Sequence, residues 1–180
     1  MRKSPFKIVA GGQTGVDRAA LDWAIAQGVR HGGWCPKGRR AEDGIIPRRY
    51  RLKETHSPAY HVRTRWNVRE SDGTLIISAS QRIGGGTKRA AEFAASLKKP
   101  VLHLTMKTGA TRAAERLDRF IALRRIHVLN IAGPRDSEEP GLGQFVQDIL
   151  TRSRLLARAH QRSPKCCCWR SATCSAGLRA

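Results

Sequence analysis

Two glycine-rich segments carry the residue types that bind anions. The first consists of Gly11, Gly12, Gln13, Thr14 and Gly15, and it lies between an apolar run and a helical pattern over residues 16–27. The second consists of Gly84, Gly85, Gly86 and Thr87, and it follows the apolar run 74–78 and precedes another helical pattern. Glycines permit a sharp turn and a close approach of the backbone to a ligand. N–H groups at the following helix start favour an anion such as phosphate.

Neither segment matches a well-known nucleotide-binding motif. The glycine spacing of the first is not G-x-G-x-x-G, and no Gly-Lys-Ser/Thr follows it. The simpler alternative is that the glycines only turn a strand into a helix. Because both segments follow strand-like runs, we expect them at the carboxyl ends of parallel strands. We predict that Gly12 and Gly86 approach within roughly 10–12 Å across one ligand crevice.

Side chains beside the first glycine segment offer further contacts. Gln13 and Thr14 supply neutral donors and acceptors, and we expect both to contact the ligand. Asp17 either contacts the ligand or stabilises the first helical turn through the helix dipole. Arg18 either pairs with a phosphate or remains a solvated surface arginine. The sequence leaves both alternatives open.

Composition predicts one domain with an acidic partner. The chain has 180 residues and a formal net charge of +20, which favours phosphates, nucleic acid or another anion. Arginine-rich composition also arises from coding bias, so charge alone does not identify the partner. We find neither a signal-peptide pattern nor an apolar run that would span a bilayer. We therefore expect a cytoplasmic protein without a membrane partner.

Cysteine and histidine spacing gives no metal motif. Four of the five cysteines lie after residue 160, and no C-x-x-C pair occurs. The six histidines show no H-x-x-x-H spacing. Cys35 has no evident activating histidine, so we expect an inert thiol. We predict neither a metal site nor a catalytic residue.

Apolar runs alternate with helical patterns along most of the chain. This alternation predicts an α/β fold, doubly wound, with a mostly parallel sheet in a single domain over residues 1–158. Its helical segments are 16–27, 59–70, 88–98, 110–123 and 143–158. Residues 35–50 have no apolar period and are expected to form a long loop. Residues 159–180 are predicted to be a disordered, basic, cysteine-containing tail.

Several motifs in order resemble one family. Between residues 6 and 150 the sequence is similar to the putative molybdenum carrier family. The motifs that carry the resemblance are the segments 11–22, 32–36, 41–44, 63–64, 67–68, 71–74, 85–87 and 99–100.

The resemblance implies a Rossmann-like fold and a bound pterin. The family lies in a superfamily with the lysine-decarboxylase-like phosphoribohydrolases and the DNA-processing protein of natural transformation. Its name implies binding of molybdenum cofactor, which carries an anionic phosphate. On this resemblance Arg63 and Asn67 are pocket residues, with a surface pairing as the alternative. The sequence departs from the family pattern at Lys88-Arg89-Ala90, where small residues and a second threonine are expected.

We therefore expect a carrier or sensor that binds an anionic, phosphate-bearing small molecule without catalysis. The first alternative is a nucleotide N-glycosidase like the phosphoribohydrolases, whose glutamate follows the loop threonine by three residues. Here Ala90 occupies that position, and Glu92 would be rotated by about 200° on the helix. The second alternative is a nucleic-acid-binding protein, with weak, sequence-independent contacts to phosphates. A homo-oligomer is compatible with the sequence, which does not decide the oligomeric state.

Overall fold

The computed structural model describes residues 6–156. The predicted tail over residues 159–180 and the ends of the predicted domain and of its last helix lie outside the described residues. Four of the five cysteines lie outside them as well. Among the described helices, none combines the length and the apolar character needed to cross a membrane.

A five-stranded, all-parallel sheet forms the centre of the fold. Its strands are β1 (Lys7–Val9), β2 (Arg30–Gly32), β7 (Gly73–Ser78), β8 (Val101–Thr105) and β9 (Val128–Ala132). Four short strands pair outside this sheet: β3 (Trp34–Cys35) with β6 (Lys53–Glu54), and β4 (Arg40–Ala41) with β5 (Gly44–Ile45). Strand β7 is buried along its whole length, as expected for a strand covered on both faces.

Within residues 6–156, five α-helices of at least ten residues cover the sheet on two faces. They are α1 (Val16–Ala26), α2 (Tyr60–Arg69), α3 (Gly85–Ser96), α4 (Ala110–Arg124) and α5 (Leu142–Arg152). Helices α1, α4 and α5 share one large apolar core with the sheet, which includes Leu75, Ile77 and Leu129. Helices α2 and α3 pack together with Ala132 in a smaller cluster on the other face. These layers confirm the predicted α/β, Rossmann-like fold with a mostly parallel sheet.

The order of the strands is a rotated version of the Rossmann order. The sheet runs β2-β1-β9-β7-β8, and counting only these five strands along the chain gives 2-1-5-3-4. Advancing each number by one, with five becoming one, gives 3-2-1-4-5, the order of the dinucleotide-binding fold. The last strand of this chain thus occupies the place of the first Rossmann strand. The topological switch point lies between β9 and β7, which are hydrogen-bonded neighbours.

Two helix boundaries and one loop show the largest differences from the sequence expectation. Helix α3 begins at Gly85 instead of 88, so Gly85, Gly86 and Thr87 form its first turn. Helix α5 ends at Arg152 instead of 158. The predicted loop 35–50 contains a short 3₁₀ turn and the β4–β5 hairpin. A hairpin of two-residue strands leaves no alternating pattern long enough to detect.

Candidate functional site

Three loops meet at the carboxyl edge of the sheet, where ligands bind in open α/β folds. They are residues 10–15 after β1, residues 79–84 after β7, and residues 133–141 after β9. The first and third are in close contact, since a Cβ added at Gly15 would lie 2.9 Å from the Pro134 carbonyl oxygen. The third also touches β7, because a Cβ at Gly133 would lie 2.5 Å from the Ile77 carbonyl oxygen. Both glycine segments thus follow parallel strands that flank β9.

Asp17 is the centre of the first glycine segment. Its Oδ2 accepts hydrogen bonds from the N–H groups of Gly11 at 3.1 Å and Gln13 at 3.3 Å. It also accepts one from Nη1 of Arg63 at 3.2 Å, on helix α2. Burial raises the pKa of Asp17 above its ordinary value, while Arg63 and the two N–H groups oppose that shift. The N–H groups of Gly11 and Gln13, which we predicted to bind a ligand, are therefore bonded to the carboxylate of Asp17.

Arg63 covers the glycine segment from the side of α2. A Cβ added at Gly11 would lie 1.8 Å from its Nη1, so only glycine leaves room for this guanidinium. Its Nε is buried and has no hydrogen-bond partner among the described residues. A buried donor without an acceptor is rare in folded proteins, and a missing ligand or ion is one of its usual causes.

Gln13 and Thr14 fasten the glycine segment to its neighbours. The side-chain oxygen of Gln13 accepts from the N–H groups of Thr14 at 3.1 Å and Glu42 at 3.0 Å. The Thr14 hydroxyl donates to Glu42 and accepts from the N–H of Asp136 at 3.2 Å. Gln13 is buried, because the β4–β5 hairpin, which carries Glu42 at its turn, covers it. In this structure the hydrogen bonds of both side chains therefore connect loops of the protein to one another.

Arg18 has an internal partner as well. Its Nη2 donates to Asp43 Oδ1 at 2.7 Å, its Nη1 also bonds to Asp43, and its Nε donates to the Gly12 carbonyl at 3.1 Å. The two hydrogen bonds from Arg18 lower the pKa of Asp43, which burial only partly opposes. Arg18, for which the sequence left a phosphate contact and a solvated position open, thus anchors the β4–β5 turn in this structure.

The first turn of α3 is the open part of this edge. Gly84, Gly85 and Gly86 are exposed, whereas Thr87 is buried. Gly84 is the N-cap, with no side-chain hydrogen bond to the turn, and a Cβ added at Gly86 would meet nothing within 4 Å. A Cβ at Gly85 would lie 3.9 Å from Oε1 of Glu138, so this turn borders the loop after β9.

Asn67 lies one helical turn beyond Arg63 on α2 and positions Trp34. Its Oδ1 accepts from the Trp34 N–H at 2.7 Å and its Nδ2 donates to the Trp34 carbonyl at 3.0 Å. Asn67 is buried, and its side-chain amide bonds to both the N–H and the carbonyl of Trp34, as the backbone of a paired strand does. The structure thus brings Arg63 to the glycine segment and places Asn67 at Gly33, which packs against Ala10 directly before that segment.

The structure also joins a serine and a histidine that the sequence did not connect. Ser78 Oγ at the end of β7 lies 2.7 Å from Nε2 of His103 on β8. Ser78 donates its only hydroxyl proton to the Ser80 carbonyl at 2.7 Å, so it accepts from His103 Nε2–H. Burial lowers the pKa of His103, which favours the neutral ring. In this arrangement His103 is a donor to the hydroxyl and not the base of a nucleophile.

The remaining groups with possible chemistry are the buried cysteine and the acidic residues. Cys35 is fully buried, and burial raises the pKa of its thiol, which disfavours the reactive thiolate. Within residues 6–156 no three His, Cys, Asp or Glu side chains are grouped so that they could hold a metal ion. Glu92 is exposed and pairs with Lys88 at 3.8 Å, while Ala90 is buried against α2.

The loop after β9 and the β4–β5 turn were absent from the sequence-based site. The signal for the first was available: residues 133–141 follow the carboxyl end of a buried strand, where ligand loops cluster. The turn at Glu42 and Asp43 follows no long strand, and its position depends on contacts with Thr14 and Ser137. Its signal in the sequence was the family motif 41–44.

A solved structure of high similarity agrees with this architecture. A crystal structure of a putative molybdenum carrier protein from Syntrophus aciditrophicus SB is 44% identical, with a TM-score of 0.80. The match covers 82% of this chain and 94% of that one. A GDP complex of the signal recognition particle 54 kDa protein from Aeropyrum pernix K1 is 11% identical with a TM-score of 0.37, covering 86% of this chain and 28% of that one. The comparison with curated proteins gave no match.

A family model explains the rotated strand order. The model of the circularly permutated YpsA SLOG family matches residues 8–154, which include every strand of the central sheet except the first residue of β1. The rotation of the Rossmann order seen in the sheet is the rearrangement that this description names. From the match and the strand order together, the chain belongs to the circularly permutated YpsA SLOG family.

Proposed function

We propose that this protein binds an anionic, phosphate-bearing small molecule at the carboxyl edge of its sheet and carries it without chemical change. The leading named candidate is molybdenum cofactor. Family membership and the 44% identical molybdenum carrier structure support a ligand-binding role. The observation on which the proposal depends is the exposed first turn of α3, which faces the switch point of the sheet.

The first turn of α3 is suited to an anion for two reasons. The N–H groups of Gly85, Gly86 and Thr87 precede the first helical hydrogen bond, which joins Lys88 N–H to the Gly84 carbonyl. Such N–H groups and the helix dipole favour negative charge. In addition, the glycines leave the turn uncovered, so a phosphate could approach the backbone closely.

The glycine segment after β1 forms the opposite wall of this site. The bonds to Asp17 fix the N–H groups of Gly11 and Gln13, and Leu52 and Ile46 pack over Gly12. We therefore assign a phosphate contact in this structure to Gly15, and to Gly12 only after its cover moves. Arg63 Nε is the buried donor that lacks an acceptor, and a ligand oxygen or a water could supply one. Gln13, Thr14 and Arg18 would contact the ligand only after the β4–β5 hairpin moves away.

Non-catalytic binding is favoured over N-glycoside hydrolysis by the side chains at α3. The position that the phosphoribohydrolases give to glutamate is Ala90, which is buried, and Glu92 is turned to solvent with Lys88. No carboxylate of α3 therefore approaches the glycine turn.

Weak binding to nucleic acid through phosphates stays a prediction, and we expect it to fall steeply with salt.

Two variants of Gly86 test the site. Gly86→Asp places a negative charge at the helix start, where it stabilises the helix but repels an anion. Gly86→Asn has nearly the same size and no charge, so it is the matched control. Native mass spectrometry of each purified protein would identify the co-purifying molecule. We expect Gly86→Asp to weaken retention by roughly tenfold or more relative to Gly86→Asn.

Two outcomes would contradict the proposal. Equal retention by the Asp and Asn variants would place the ligand elsewhere. Release of free base from nucleoside monophosphates by the unmodified protein would show an N-glycosidase and not a carrier.

A further inference from the structure

A second cleft lies along β1 on the side of α2, and its lining extends from Lys7 at the start of the strand to Val9 and Gly33 beside Ala10. It has a volume of about 60 Å³ and is lined by residues of β1, of the β3–β6 pair and of α2. Its charged and polar lining consists of Lys7, Arg51, Lys53, Asn67 and Glu70, with Trp34 as the aromatic wall. A cavity of this volume holds several waters, at about 10–15 Å³ for each, or one small oxyanion.

The cleft concentrates positive charge without matching acids. Within residues 6–156, no ion pair involves Lys7, Arg51 or Lys53. The single carboxylate of the lining, Glu70, already accepts from Trp34 Nε1 at 2.8 Å. Three cations against one carboxylate leave a net charge of two, which matches a dianion. Burial, Arg30 and Lys53 lower the pKa of Lys7, and a bound anion would offset this repulsion.

The cations are held in place by the fold. Arg51 and Lys53 are two residues apart at the start of β6, so their side chains lie on one side of this extended segment. Lys7 is confined by Gly32, where an added Cβ would lie 3.1 Å from its Cε. Lys53 Nζ lies 5.4 Å from the centre of the Trp34 ring, and Asn67 holds the Trp34 backbone.

The cleft differs in charge from the surroundings of the glycine segments at the carboxyl edge. There six acidic residues surround the glycine segments: Asp17, Glu42, Asp43, Asp136, Glu138 and Glu139. Arginines pair with several of them, including Glu42 with Arg135 at 3.8 Å and Glu138 with Arg135 at 3.1 Å. Lys7, Arg51 and Lys53, which form no ion pair within residues 6–156, are thus better placed to bind an anion than the paired arginines around the first glycine segment.

We propose that the cleft between Lys7, Arg51 and Lys53 is a second anion site, which binds a tetrahedral dianion. The dianion is either a free oxyanion or the terminal phosphate of a small molecule. The same cations recognise both sources, because each presents several oxygens and two negative charges to Lys and Arg donors. None of its three cations is assigned to the carboxyl-edge site, so this proposal does not depend on that site.

Titration calorimetry with inorganic phosphate, molybdate and glycerol phosphate tests the site. We expect Lys53→Gln and Lys7→Gln each to weaken binding on the order of tenfold. Lys107→Gln removes the same charge from an exposed turn elsewhere and should bind like the unmodified protein. Stronger binding of glycerol phosphate would assign the site to a phosphomonoester, whereas equal or stronger binding of the inorganic ions would assign it to a free oxyanion.

A second readout and a second variant complete the test. Because Trp34 lines the cleft, binding should change tryptophan fluorescence, and this change should be lost in Trp34→Phe. Gly86→Asp should leave phosphate binding to the cleft unchanged, which separates this proposal from the carboxyl-edge site. Equal binding by Lys53→Gln and the unmodified protein, or equal weakening by Lys107→Gln, would overturn the proposal. Since Lys53 is exposed, its variant keeps the test valid even if Lys7→Gln fails to fold.

Discussion

At the scale of single residues, Asp17 takes the position that an anion would take beside the glycine segment. The N–H groups of Gly11 and Gln13 bond to its carboxylate, because a buried N–H without an acceptor is costly. The cation that balances Asp17 is Arg63, which lies 46 residues later in the sequence. The glycine segment is thereby held in shape without a ligand.

The Asp17–Arg63 pair predicts a strong coupling in stability. Asp17→Asn and Arg63→Met should each lower the free energy of unfolding by about 3 kcal/mol, since each leaves a largely buried charge unpaired. The double variant should lose clearly less than the sum, because it leaves neither charge. Urea unfolding of the four proteins measures this cycle.

The exposed pair Arg69–Glu70 is the control for this cycle. Both side chains are about half exposed, so the coupling between Arg69→Met and Glu70→Gln should be below about 1 kcal/mol. Additive losses at Asp17 and Arg63 would show that the two charges do not depend on each other.

At the scale of elements, the β4–β5 hairpin is a cover held by two carboxylates. Glu42 bonds to Ser137 and Thr14, and these hydrogen bonds lower its pKa. Asp43 bonds to Arg18, which lowers its pKa as well. A carboxylate with a lowered pKa in the folded state stabilises the fold above its ordinary pKa. That contribution is lost as the pH falls through the lowered value.

We therefore predict that acid releases the hairpin before it unfolds the domain. As the pH falls below about 4, the ordinary range of carboxyl groups, the Glu42 amide should lose protection against hydrogen exchange. The Ile131 amide in β9 should stay protected under the same conditions, because it lies in the central sheet.

A double variant, in which neutral amides replace both carboxylates, is the control for the acid experiment. Glu42→Gln with Asp43→Asn should leave the hairpin loosely attached at every pH, with no further change on acidification. A hairpin that stays protected down to the pH of global unfolding would show that these carboxylates do not hold the cover.

At the scale of the whole molecule, the position of β9 is the defining feature. The last strand lies between β1 and β7, so the strand that comes last in the chain occupies the middle of the sheet. The two described ends of the chain lie at the same, amino edge of the sheet. Thr151 near the end of α5 bonds to Trp23 in the last turn of α1 at 3.0 Å, and Lys7 starts β1 beside His127 at 2.8 Å.

This geometry predicts that a circular permutant will fold. Joining residue 156 to residue 6 through a short flexible linker and opening the chain between Arg125 and Ile126 restores the strand order 3-2-1-4-5 along the chain. All strand pairs and core contacts remain, so we expect the same far-ultraviolet circular dichroism and one cooperative thermal transition.

A second permutant, opened between Leu75 and Ile76, is the control. It interrupts β7, a buried strand of the central sheet, and should not fold. Failure of the first permutant to unfold cooperatively would show that the connection from α4 to β9 is essential to the fold.

The local sequence is sufficient to predict the type of most elements. Apolar runs and helical periods locate the central strands and the helices, and the glycine segments mark the turns that follow β1 and β7. The start of α3 was predicted three residues too late. The reason is that glycine has low helix propensity in an interior, whereas Gly85 and Gly86 occupy the first turn, where no helical hydrogen bond is required of their N–H groups.

Only the tertiary structure decided which residues meet. Three features join residues that are more than 25 positions apart in the sequence. They are the pairing of Asp17 with Arg63, the hydrogen bond from the Glu42 N–H to Gln13, and the cleft between Lys7 and Lys53. Such contacts depend on the insertion of β9 between β1 and β7 and on the packing of α2 over β1. A local period reports which face of an element is buried but carries no information on the partner of that face. The sequence therefore determined the elements and their glycine turns, and the packing of the sheet decided which residues line the two proposed anion sites.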